Sequence, residues 1–94
     1  GPAPAGGPVP VAASVELLEQ SLAWQTAAHL VRSALLEQWD IDGWRFLRFA
    51  GVAGGRPVTV VFALAADAAL GTAEPAVRVT VVDPDRQEVL PTLA

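Results

Sequence analysis

The chain reads as an α+β domain: one long N-terminal helix packed on a three- to four-stranded antiparallel meander, in two layers. Three observations predict this. Residues 14–39, SVELLEQSLAWQTAAHLVRSALLEQW, contain no Gly or Pro and are rich in Leu, Ala, Glu and Gln, which are good helix formers. Beyond them, runs of Val, Phe and Leu alternate at period two, as half-buried strands do. Clusters of Gly, Pro and Asp separate those runs at hairpin spacing.

The elements follow in order. Gly1-Pro2 has the form of a scar left by tag removal, and residues 3–13, APAGGPVPVAA, form an uncharged Pro/Ala-rich linker. Residues 1–13 are therefore set apart from a single domain over 14–94, expected to be a piece of a larger protein. The other reading of this segment pairs Val9 and Val11 as an edge strand. Ser14 reads as the N-cap of the long helix, with Glu16 in the first turn where the helix dipole favours an anion. About 25 residues is twice the usual helix length, which makes this the dominant element.

At about 100° per residue the helix shows two apolar stripes. One carries Leu17, Trp24, Ala28, Val31 and Leu35, with Trp39 at its margin. The other carries Leu18, Leu22 and Leu36, with His29 among them. A helix lying on one sheet needs a single apolar face. The excess predicts either one wide stripe sunk in a thick core or a second interface.

Asp40, Asp42 and Gly43 then stop the helix and turn the chain. Residues 44–50, WRFLRFA, form the first strand, with Trp44, Phe46 and Arg48 on one face and Arg45, Leu47 and Phe49 on the other. Residues 51–55, GVAGG, read as a hairpin loop. The clearest strand is 57–65, PVTVVFALA, with Val58, Val60, Phe62 and Leu64 on one face. A loop over 66–75 leads to a strand over 76–83 that turns Val77, Val79 and Val81 inward. Asp83-Pro84-Asp85-Arg86 is a type I turn signal, and 87–90 return as a short fourth strand. In element order, a long N-terminal helix before an antiparallel meander is similar to the soluble domains of pilins and pseudopilins, and more loosely to secretion chaperones and cystatin-like folds. No residue is carried over from that likeness.

Composition narrows the function. Of the 94 residues, 52% are hydrophobic and 17% charged, below the roughly 25% charged share of ordinary soluble domains. So little charge predicts apolar surface that is exposed or shared with another chain. A net charge of -4, no lysine and scattered arginines argue against nucleic acid, which needs a cationic patch. No apolar run is long enough to span a bilayer as a helix, so no membrane insertion of this segment is expected. Without cysteine there is no thiolate chemistry, and a lone His29 supplies no metal pair, so no cofactor or metal is expected.

The two Asp-containing turns, at 40–42 and 83–85, lack the remaining ligands of a calcium loop. The glycines of 51–55 lack the Lys and Ser/Thr of a phosphate loop. Trp39 and Trp44 bracket the first turn and suit either an aromatic lock between helix and sheet or a binding hot spot. The expected function is a non-catalytic protein interaction or assembly domain. It would bind a protein partner or itself, with homodimers included, through Leu18, Leu22, His29, Leu36, Trp39 and Trp44 or through a sheet edge. The alternative is a module holding a small apolar ligand between helix and sheet.

Overall fold

A computed structural model describes residues 10–68, 76–85 and 88–90, the last three by backbone alone. Two short helices, α1 (Val11–Glu19) and α2 (Leu22–Ala27), are followed by a 3₁₀ turn at Ala28–Leu30. Then come β1 (Glu37–Ile41), β2 (Trp44–Ala53), β3 (Arg56–Ala65), β4 (Val77–Asp83) and β5 (Glu88–Leu90). The strands form one antiparallel sheet in the order β1-β2-β3-β4-β5, so each pairs with its sequence neighbour. The α+β class and the antiparallel meander hold.

The single long helix does not. Its residues divide into a helix of 9, a helix of 6, a 3₁₀ turn and an edge strand. The first break is at Ser21, whose backbone is extended (φ -82, ψ 155). Its hydroxyl donates to the Leu18 carbonyl at 2.6 Å and accepts the Trp24 N–H at 3.1 Å. Ser21 thus ends one helix and caps the next, a bond pattern by which serine competes with helix-interior hydrogen bonding. The second break follows Leu30, where Val31 turns extended and bridges Gly51. The ten-residue β2 exposes a row of backbone groups along its free edge, and pairing them outweighs the helical preference of 31–39. With the long helix gone, the likeness to pilins loses its basis.

The N-terminal boundary moves as well. Pro10, not Ser14, stands at the N-cap of α1, and the first turn carries no acid. Val11 is helical and pairs with no strand, while Val9 lies outside the described residues. Ser14 is buried inside α1.

Asp42 (φ 52) and Gly43 (φ 81) form the two-residue loop between β1 and β2, and positive φ at both positions matches a type I′ hairpin turn. Gly54 (φ 57) and Gly55 (φ 78) do the same between β2 and β3. Gly51 to Ala53, expected in a loop, therefore belong to β2.

The helices lie on the sheet face that carries Leu47, Phe49, Val58, Val60, Phe62, Leu64 and Val81. Leu17, Leu18, Ala23 and Ala27 complete this core. Trp24 seals one side, 5.7 Å from Phe49 and 5.4 Å from Phe62 between ring centroids. Each fully buried Leu, Val or Phe contributes about 1.5–3 kcal/mol. The alternation read for β3 and β4 places their residues inward as expected; for β2, whose two faces both carry large apolar groups, the structure turns Leu47 and Phe49 inward. The turn residue Asp83 is buried; it accepts from Asp85 N–H at 3.0 Å and pairs with Arg56 at 3.0 Å. The expected loop over 66–75 lies largely outside the described residues.

Candidate functional site

The other face of the sheet carries the features that composition alone hinted at. Trp39 of β1 stands opposite Phe46 of β2, and the rings stack at 5.4 Å with 12° between planes. Ile41 stands opposite Trp44 and is 53% exposed. Ala65 and Ala63 of β3 stand opposite Trp44 and Phe46. Past these small side chains, the Arg78 guanidinium of β4 lies 5.6 Å from the Trp44 ring centroid. Val61 continues the apolar band beside Arg48, which pairs with Glu37 at 3.2 Å.

An antiparallel sheet facing water ordinarily alternates apolar inward and polar outward. Here the outward positions of β1 and the start of β2 are instead two tryptophans, a phenylalanine and an isoleucine, with alanines beside them, while Thr59, Thr80 and charged groups stand farther along the face. No described helix or strand lies over them. Stacked aromatics with an arginine above a ring are the side-chain types enriched at protein interfaces.

The expected site residues separate. Leu18 is fully buried in the core and presents nothing to a partner. Leu22, on α2, is 71% exposed, and Leu36, just ahead of β1, is 52% exposed. His29 is exposed in the 3₁₀ turn, where its carbonyl accepts from Arg32 Nη1 at 2.5 Å. With the helix broken, Leu18, Leu22 and Leu36 no longer share a stripe. Trp39 and Trp44 do meet on one surface, but on the sheet face away from the helices. Neither borders the helix–sheet interior where an apolar ligand was expected.

Sequence reasoning missed Ile41, Phe46, Val61 and Arg78 as parts of this surface. The signal for the first was present: Asp42-Gly43 between alternating residues is a strong hairpin signature, and it places Ile41 and Trp39 on β1.

On the core face, Arg45 is 5% exposed and engages Asp40 through two bonds, Nε to Oδ1 at 2.8 Å and Nη2 to Oδ2 at 3.0 Å. Its Nη1 donates to Ser14 Oγ at 2.9 Å, tying α1 to the hairpin. The hydrogen bonds from Arg45, with its charge adding to them, hold the Asp40 carboxyl below the usual aspartate range. The carboxylate raises the Arg45 guanidinium in turn. This pair locks structure and holds no mobile proton. Among the described residues no three His, Asp or Glu converge as a metal site, and no helix is long and apolar enough to cross a membrane.

Comparison with protein families, with characterised proteins and with solved structures finds no match to this chain.

Proposed function

We propose that the chain is a non-catalytic interaction or assembly domain that docks another protein chain on its outer sheet face. The observation that carries this reading is the band of Trp39, Ile41, Trp44 and Phe46 on two neighbouring strands, with Ile41 half exposed beside the Trp39–Phe46 stack. Aromatic side chains bring large area at small entropic cost, which is why they anchor interfaces. The flanking Arg48, Glu37 and Arg78 supply a polar rim.

The test compares two variants that spare the core. Ala63→Glu puts a charged side chain between Phe46 and Arg78, while Leu22→Asp alters the exposed side of α2. Partner retention, whether of a co-purified protein or of a second copy, should fall at least tenfold for Ala63→Glu and stay unchanged for Leu22→Asp. Circular dichroism should show both variants folded. The reverse ranking moves the interface to the helices and overturns the proposal.

A further inference from the structure

The outer band ends at the edge strand β1. We infer that a second copy of this chain adds antiparallel to β1, with Trp39 against Trp39 at a two-fold axis. This rests on the reading of the outer face as an interaction surface and extends it to the strand that borders it.

β1 is the first strand of the sheet, and among the described residues its one strand neighbour is β2. Its other side therefore presents backbone donors and acceptors suited to strand addition. Glu37–Ile41 is short and carries one inward charge, two of the features that blunt an edge, but two others are missing. It contains no Pro and no Lys, and its inward charge, Asp40, is engaged by Arg45 of the same copy. Ahead of β1, Val31 faces Gly51 and Glu37 faces Arg48, so six steps on one side match three on the other. This bulge, in which Ser33 Oγ accepts the Ala50 N–H at 2.9 Å, confines addition to the five residues of β1. At the opposite edge β5 has three residues, and Pro91 follows it in sequence.

Charge and face select the register. With Trp39 opposite its own copy, Gln38 faces Asp40 and Glu37 faces Ile41, so no like charges meet. The rings would then run Phe46, Trp39, Trp39, Phe46 along one continuous outer face. A slip of one position places outward residues against inward ones. Moving the axis to Asp40 sets two carboxylates against each other. Moving it to Gln38 leaves three strand residues per copy. A five-residue strand is about 17 Å long, which puts the contact at the small, weak end of specific interfaces.

The chain has no cysteine, so introduced thiols report the register directly. Directly opposed residues of an antiparallel pair have Cα atoms about 4.5–5.5 Å apart, within disulfide range. Wild-type protein should sediment as a monomer–dimer equilibrium below about 1 mM. Under mild oxidation Trp39→Cys should form a covalent dimer. A mixture of Glu37→Cys with Ile41→Cys, which keeps Trp39, should cross-link at least tenfold faster than Glu37→Cys alone. Equal rates for the mixture and for Glu37→Cys alone overturn the register and the inference. If wild type dimerises but Ala63→Cys cross-links with itself while the edge thiols do not, the faces stack instead. That result also overturns edge addition, though it leaves the outer face as an interaction surface. A chain still monomeric at about 1 mM overturns the inference outright, and the Ala63→Glu comparison then decides the broader reading separately.

Discussion

Asp40 and Arg45 face each other across the β1–β2 hairpin in a two-point ion pair, with Nε to Oδ1 at 2.8 Å and Nη2 to Oδ2 at 3.0 Å. The arginine sits almost wholly inside the fold and the aspartate at its margin. Because Ser14 Oγ accepts from the same guanidinium, one side chain joins helix α1, edge strand β1 and central strand β2. A planar, five-donor group is suited to this in a way lysine is not.

The first prediction follows from that pair. Folding lowers the Asp40 pKa, chiefly through the hydrogen bonds from Arg45. Its contribution to stability is therefore complete above about pH 3.9, the unfolded value. It is lost as pH falls from there through the lowered folded value. Chemical denaturation between pH 6 and pH 2 should show wild type losing stability in that acid window, and Asp40→Asn should lose less over the same window. An identical pH slope in the two proteins would remove the pair from the acid response.

The second prediction tests the break at Ser21. Leu18 is fully buried and Leu22 is 71% exposed, although a continuous helix would place them one turn apart on one stripe. Leu18→Ala should cost about 2–5 kcal/mol through lost burial and a cavity. Leu22→Ala should stay within about 0.5 kcal/mol. Urea unfolding of both variants checks this, and comparable losses would restore the single helix.

The third concerns the crossing of the 3₁₀ turn over β2. A Cβ at Gly51 would come 2.5 Å from the Leu30 carbonyl oxygen and 3.0 Å from a Val60 methyl. The backbone contact cannot yield as a flexible side chain could. Gly51→Ala should therefore destabilise by about 1–3 kcal/mol, measured by thermal or urea unfolding. A neutral effect would mean that the Leu30 backbone is not held there.

What the sequence displays clearly is the central hairpin and its neighbour. Alternation in 57–65 and 76–83 assigns Val60, Phe62 and Val81 to the core face; in 44–50 it separates Leu47 and Phe49 from Trp44 and Phe46, and the structure puts the first pair inward. Segment 31–39 is ambiguous in sequence because its composition satisfies both periods. Leu, Glu and Gln favour a helix, while Trp39 and Ile41 alternate with Gln38 and Asp40 as on a strand. Two local signs pointed the other way: Ser21 in capping position before Leu-Ala-Trp, and the Asp42-Gly43 hairpin turn. Treating Asp42-Gly43 as a helix stop hid β1, and with β1 hidden, half of the outer aromatic band was hidden too.

Taken alone, the sequence determined the fold class, the inward face of β3 and β4, and a surplus of apolar side chains over charge. Those properties depend on period-two patterning and composition, which are local. Tertiary structure decided where the surplus went. The free edge of β2 drew residues 37–39 from the expected helix, and Asp40 and Ile41 from the expected turn, into the sheet, because a row of backbone hydrogen bonds outweighs the few tenths of a kilocalorie per residue that separate helix propensities. That pairing brought Trp39 onto Phe46 on the outer face, while the break at Ser21 buried Leu18 and left Leu22 exposed.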